Sequence, residues 1–429
     1  MPWAVIARAA PAAVLPPACR LTCTMTWRAR VEMEYAGAMS VLPLIKPVGA
    51  SCNLRCRYCY YLDDERRIPA RHHGRMASDI LEALVRAVIA AQPEGDITFS
   101  WQGGEPTLLG QDFFRDAIAM QQRWRPPGRV IRNTVMTNGT LLDAGWARFF
   151  KEHDVLVGLS FDGPPAQHDA YRRDVRGAPT AEAVQRGLAL LLEHGVEVNT
   201  LTVVHARNWR NGRDVYRFLR RQGVRHMQFI PLVERRGGDG ALAAPGSAGV
   251  VTPESVPAHG YGAFLSAVFD EWKRRDVGRV FVRDFEVFLG LWIGLPAGLC
   301  TFAPTCGRNP AVESTGDVYA CDHYVYPEHR LGHIAEASLT TLVEQDQQIR
   351  FGEAKRTGLS DACRGCRLLP VCNGGCPKHR FVAQPAGRPG NHLCPSYRQF
   401  LLHAAPGLRA LAAVLLRGRP ASEAMALMR

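Results

Sequence analysis

Between residues 43 and 275 the chain repeats one pattern six times: a short apolar run, then an amphipathic stretch. The runs "PLIKPV", "DITFSW", "RVIRNTVM", "DVLVGLSF", "VEVNTLTVV" and "HMQFIPL" are strand-like. Helical periods follow at 78–92, 111–124, 141–153, 180–195, 210–222 and 260–275. Ser78 is placed to cap the first helix and Gly195 to close the fourth. Strand, crossover helix and strand in series make parallel strands with right-handed connections. Six units fall short of a closed eight-stranded ring, so the pattern predicts a partial (β/α)6 barrel. An open doubly wound sheet is the other arrangement the rhythm allows. The Gly/Pro/Ala-rich stretch 237–257 reads as a loose loop.

Polar motifs fall where the strands end. The cysteine-bearing "CNLRCRYC" follows the first strand, "QGGEPTL" the second, "TNGT" the third and "SFDGP" the fourth, while Pro231 and Leu232 end the sixth. In parallel α/β folds these loops share one face, where ligands bind. Each motif taken singly is an ordinary turn; gathered on one edge they describe a pocket with a metal site at its rim.

Of 13 cysteines, Cys19 and Cys23 stand apart near the N-terminus. The others form three groups: Cys52, Cys56 and Cys59; Cys300, Cys306 and Cys321; Cys363, Cys366, Cys372, Cys376 and Cys394. A disulfide-stapled secreted chain would not leave the stretch from 60 to 299 without a cysteine. Short spacings in a large chain point to metal or cluster binding. Residues 1–38 read as a flexible or mis-started extension, because Pro11, Pro16 and Pro17 break the apolar core an export signal needs. No unbroken apolar run is long enough to predict a membrane span. The net charge of +12 comes mostly from scattered arginines, with only Lys46, Lys151, Lys273, Lys355 and Lys378 as lysines, and no nucleic-acid-binding signature accompanies it.

Three thiolates at C-x3-C-x2-C spacing leave one iron of a cubane cluster open, and open coordination marks a reactive site. A zinc site completed by His72 or His73 is the alternative. The eight C-terminal cysteines can fill two four-ligand sites, and spacing does not separate zinc from clusters there.

The motifs taken together resemble a known family. "CNLRCRYC" and "GGEP" resemble the signatures of the radical S-adenosylmethionine (SAM) superfamily. "QGGEPTL", "TNGTLL", "SFDGP…HDAYRRD", "MQFIPLV", "GDVYACDHYVYPEHRLGHI" and "C…CRGC…VCNGGCPK…CPSY" are similar to the anaerobic sulfatase-maturating enzymes, a branch with a SPASM domain. The resemblance covers about residues 40–400. It implies a TIM-like partial barrel of radical SAM type over 39–280 and a cysteine-rich SPASM domain over 281–405 carrying auxiliary iron–sulfur clusters; residues 406–429, outside the resemblance, are expected to form a helical tail.

Residue roles follow from the resemblance alone. Cys52, Cys56 and Cys59 would hold the SAM-cleaving 4Fe–4S cluster. Tyr58, Gly104, Ser160, Arg172 and Leu232 would contact SAM. Cys300, Cys306, Cys321 and Cys376 would hold a first auxiliary 4Fe–4S cluster, and Cys363, Cys366, Cys372 and Cys394 a second. Asp322 would be the catalytic base. The implied reaction takes a Cβ hydrogen from a Cys or Ser in a Cys/Ser-x-Pro/Ala-x-Arg segment by way of a 5′-deoxyadenosyl radical, and ends at Cα-formylglycine. The implied partners are an unfolded or nascent sulfatase and an electron donor such as flavodoxin or ferredoxin, in the cytoplasm. No nucleic acid and no membrane are expected. A SPASM enzyme that crosslinks a small ribosomal peptide is the competing reading, and no leader-binding domain precedes residue 40 to favour it.

Overall fold

The computed structural model describes residues 41–62 and 74–428; the expected N-terminal extension and the candidate ligands His72 and His73 lie outside these. Six strands stand side by side in chain order, all parallel: β1 (Leu44–Ile45), β2 (Ile97–Trp101), β3 (Ile131–Thr137), β4 (Leu156–Ser160), β5 (Val198–Val204) and β6 (His226–Pro231). The crossover helices are Ser78–Ala90, Gly110–Trp124, Ala144–Glu152, Ala181–Glu193 and Gly212–Arg221, and Gly260–Arg275 follows β6.

Side-chain period explains each element. Ile97, Phe99 and Trp101 alternate along β2 and are all buried, as one face of a strand must be. Leu81, Leu84, Val85 and Val88 recur at helical spacing and bury one stripe of the first helix. Ser78 does not cap that helix. It is the first helical residue, and Ala77 stands at the cap in extended conformation with no side-chain bond. Buried Met76 donates its N–H to Pro47 O, which fixes the chain's entry one residue earlier than the serine suggests. Gly195 takes φ +67 just past the fourth helix, where a left-handed residue ends the turn.

The loop after β6 is more ordered than its composition suggests. β7 (Arg235–Arg236) and β8 (Val250–Val251) pair as an antiparallel hairpin. The Arg235 guanidinium threads the loop and donates to Ser247 O and Ala244 O.

The barrel does not close. β9 (Phe281–Val282) adds a parallel strand beyond β6. At the other edge β10 (Ala311–Val312) pairs in parallel with β1, and β11 (Asp317–Tyr319) and β12 (Arg330–His333) continue antiparallel, giving a ten-stranded sheet. The cysteine-rich region is thus joined to the barrel by backbone hydrogen bonds, with Leu44 N donating to Pro310 O and Lys46 N to Val312 O, both at 2.8 Å.

Cys394–Leu416 is the one helix among the described residues that is long and apolar enough to cross a membrane by length and composition. Its Phe400, Leu401, Ala404 and Leu408 are buried, and the Phe400 ring packs on Phe269 and Phe285. That is the packing of a core helix.

Candidate active site and thiol groups

Three strand-end loops are tied together by Glu105 of the "GGEP" motif. Its carboxylate is fully buried and accepts from Thr107 N, Thr107 Oγ1, Thr137 Oγ1 and Asn138 N. Burial pushes this carboxyl up, and those four donors work against it. Asn138 in turn donates from Nδ2 to Asn53 Oδ1 at 2.9 Å, which anchors the loop of Cys52. The second and first loops touch backbone to backbone: Gly104 N donates to Gly49 O at 2.7 Å and Glu105 N to Ser51 O at 2.9 Å. A Cβ on Gly104 would sit 1.9 Å from Ser51 O, so only glycine permits this approach.

A second buried carboxylate organises the opposite wall. Asp162 accepts from Tyr58 OH, from Arg172 Nε at 3.0 Å and from Val203 N at 2.9 Å. Burial alone would raise Asp162, but Arg172, His205 and His168 outweigh it and hold it below the ordinary range. Tyr58 and Arg172 meet here, the guanidinium carbon 5.5 Å from the ring centroid. Ser160 ends β4 two residues before Asp162, and Leu232 follows β6 with its N–H on Val204 O. Gly104, Tyr58, Ser160, Arg172 and Leu232 therefore stand on the loop side of the sheet, at or after strand C-termini.

Asp322 lies at the seam between barrel and cysteine-rich region. Lys46 Nζ from the end of β1 is 3.0 Å from Asp322 Oδ1 and 2.9 Å from Glu313 Oε1. Tyr61 OH donates to Asp322 Oδ1 at 2.9 Å, and Tyr60 OH donates to Oδ2. Burial works to raise Asp322; Lys46, His323 and the Tyr60 bond overcome it and hold the carboxyl at about 2. A slot opens on Asp322, walled by Tyr60, Glu234, His323, Tyr326 and Lys378. Beside it a cavity of about 270 Å³ shares Glu234 and reaches Tyr58 and Cys59.

The described cysteines are all free, and they gather into three sets. Cys52 and Cys56 lie within electrostatic reach of Cys59. Cys300 and Cys376 lie within reach of both Cys306 and Cys321. Cys363 and Cys366 lie within reach of both Cys372 and Cys394. Cys376 thus leaves its sequence neighbours for the earlier group. Burial pushes the thiols up, Cys52 to about 11 and Cys59, Cys306 and Cys372 to about 12.

Two observations fit iron–sulfur clusters at these sets. Among the described residues no three Cys, His, Asp or Glu side chains come close enough to hold a single metal ion, whereas a cubane spreads its thiolates wider. In addition, fully buried Lys355 donates to Cys300 O and Thr301 O, and Arg380 donates to Gly374 O, Asn373 O, Gly375 O and Lys355 O. Neither cation has a carboxylate within ion-pair distance among the described residues. A cation as buried as Lys355 with only carbonyl partners is costly, and an anionic four-thiolate cluster beside it would supply the missing charge.

Reading the sequence alone passed over Glu105, Asp162, Lys46, Lys355 and Arg380 as structural hubs. Lys46 carried a usable signal, as a lysine ending an apolar strand in a chain that otherwise uses arginine. The others had none, because their partners are remote in sequence.

Comparison with known proteins places these features. The Radical SAM superfamily description matches residues 47–219, and an iron–sulfur cluster-binding domain, SPASM, matches 300–367. The Serine-type anaerobic sulfatase-maturating enzyme of Bacteroides thetaiotaomicron is 39% identical over 369 residues, covering 85% of this chain and 89% of that one. The Cysteine-type anaerobic sulfatase-maturating enzyme of Clostridium perfringens is 33% identical over 373 residues, covering 85% and 96%. A solved structure of native anSMEcpe with bound AdoMet and Cp18Cys peptide superposes with a TM-score of 0.76 at 32% identity, covering 87% of this chain and 99% of that one. Fold and site thus define a radical SAM enzyme with a SPASM domain, whose cofactors are 4Fe–4S clusters and SAM. Within that class the chain belongs to the anaerobic sulfatase-maturating enzymes.

Proposed function

We propose that the chain oxidises a Cys or Ser in a Cys/Ser-x-Pro/Ala-x-Arg segment of an unfolded sulfatase to Cα-formylglycine. The observation that carries this reading is the position of Asp322. The carboxylate is buried at the seam, beside Cys321 of the second thiol set and hydrogen-bonded by two tyrosines from the loop of the first. Cys52, Cys56 and Cys59 hold the SAM-cleaving cluster. Cys300, Cys306, Cys321 and Cys376 hold one auxiliary cluster, and Cys363, Cys366, Cys372 and Cys394 the other. Tyr58, Gly104, Ser160, Arg172 and Leu232 hold SAM. When bound, cluster and SAM supply a 5′-deoxyadenosyl radical that takes one hydrogen atom from the substrate's Cβ.

The chain's own residues supply orientation and a proton path. The loops pinned by Glu105 and Asp162 fix the pocket walls, which keeps the reacting carbon in one place and other hydrogen donors out. Asp322 is ionised at neutral pH, as a base must be before it accepts a proton. A carboxylate held so low is a weak base, but a radical on Cβ makes the adjacent thiol or hydroxyl proton far more acidic. Loss of that proton to Asp322, and of one electron that the auxiliary clusters would accept, gives the thioaldehyde or aldehyde; water converts the former to the aldehyde with release of hydrogen sulfide. A flavodoxin- or ferredoxin-type carrier in a reducing compartment supplies the priming electron.

Mass spectrometry of a Cys-x-Pro-x-Arg peptide and its Ser version, after anaerobic incubation with SAM and a reductant, tests the proposal. Loss of two hydrogens from Ser, or conversion of the Cys side chain to an aldehyde, is expected. A thioether or carbon–carbon crosslink instead would assign the chain to peptide crosslinking.

A further inference from the structure

We propose that Lys355 and Arg380 set the reduction potentials of the two C-terminal clusters, and set them unequally. The inference rests on the cluster assignment above and goes beyond it.

Lys355 belongs to the helix Asp346–Thr357, which packs without a gap on the turn of Cys306. Cys306 N donates to Gly352 O at 3.2 Å, and a Cβ on Gly352 would lie 2.6 Å from Cys306 O. One turn on, the Lys355 ammonium reaches Cys300 O and Thr301 O, the latter at 2.9 Å. It sits among Cys300, Cys306 and Cys376, all of the second thiol set. Arg380 is placed differently. Its guanidinium grips Asn373 O, Gly374 O and Gly375 O at 3.1, 3.1 and 3.3 Å. Those residues are the turn joining Cys372 of the third set to Cys376 of the second. It lies within electrostatic reach of Cys363 and Cys372 on one side and Cys306 and Cys376 on the other.

The other charges near the second set are already paired. Asp322 has Lys46, and Lys378 has Glu234. Lys355 and Arg380 carry the uncompensated positive charge. Adding an electron to an anionic cluster is easier beside a fixed cation, and more so where water is excluded. The second set has both cations near it; the third has Arg380 and Arg398, and Arg398 is exposed, where water screens it. The cluster adjoining Asp322 is therefore the better electron acceptor of the two.

Redox titration followed by electron paramagnetic resonance tests this, in a background lacking Cys52, Cys56 and Cys59 so that only two clusters titrate. Lys355→Met is expected to lower one midpoint potential only, with reduction disfavoured about tenfold, or about 59 mV for one electron. Arg380→Gln is expected to lower both, and Lys355→Arg to restore the parent value. A purely structural lysine would give no such one-versus-both pattern. Unchanged potentials in Lys355→Met and Arg380→Gln, or equal shifts of both clusters in Lys355→Met, would overturn the inference. Iron is measured first. Its absence from the parent protein would defeat the cluster assignment itself, a separate result. If only Lys355→Met loses iron, Arg380→Gln decides: a fall in both potentials supports the inference and no change rejects it.

Discussion

Asp322 is ionised because a lysine and two tyrosines crowd a carboxylate that burial would otherwise neutralise. Asp322→Asn keeps the size and part of the hydrogen bonding but removes the proton acceptor. Aldehyde formation should fall about 10²-fold or more while SAM cleavage persists, the usual scale for losing a general base. Parallel quantification of 5′-deoxyadenosine and formylglycine, at matched iron content, reads the split. His168 makes a pH test of a different kind. Its Nδ1 accepts from Asp162 N, and Nε2 faces Thr180 Oγ1 at 3.1 Å, so the buried ring is neutral. Burial holds it at about 4 against an ordinary 6.5. Between those values the unfolded chain binds a proton that the folded chain does not. Its contribution is therefore complete above pH 6.5 and is lost as pH falls toward 4, by about 3 kcal/mol at most. Denaturant midpoints measured across pH 4–7 should flatten in His168→Gln, though that variant starts less stable at pH 7.

At the scale of elements, the helices Gly260–Arg275 and Cys394–Leu416 pack backbone against backbone. A Cβ on Gly262 would lie 2.3 Å from Ser396 O, two residues after Cys394. Gly262→Ala should separate the helices, cost about 1–3 kcal/mol by overpacking, and displace one thiol of the third set. A lowered denaturant midpoint together with a lowered iron content is the expected pair of results. The elements legible in the sequence were those with a repeated period. Five crossover helices, the helix after β6 and the barrel strands follow from spacing alone, because apolar residues recur at intervals that only one secondary structure can bury. β10 to β12 were not legible. β10 has two residues, and its partner β1 lies 267 positions away at Leu44↔Ala311. The hairpin β7–β8 was hidden by Gly, Pro and Ala, and its order comes from the Arg235 guanidinium rather than from any local preference. The site divided along the same line. Motif residues such as Gly104 and Tyr58 could be placed on strand ends, but Glu105 and Asp162 as hubs depend on donors brought in by separate strands.

For the whole molecule, metal content is the first measurement. Three cubanes require about twelve irons and as many acid-labile sulfides in the anaerobically reconstituted protein. Replacing Cys52, Cys56 and Cys59 by Ala should leave about eight irons and abolish 5′-deoxyadenosine formation. Stoichiometric zinc without sulfide would reject the clusters. The strand pairing of β10 with β1 bears on recombination. Lys46 directly follows the first strand of the barrel, and Asp322 comes just after the strand extension that pairs with it. The two sides meet through main-chain bonds at Leu44 and Lys46 and through this ion pair. A crossover point placed in the linker near residue 295 would look innocuous in an alignment of modules. It would nevertheless bring together halves of the seam selected in different parents. Interchangeable parts, in such enzymes, must be cut so that the edge strand and the residues facing it travel as one inheritance.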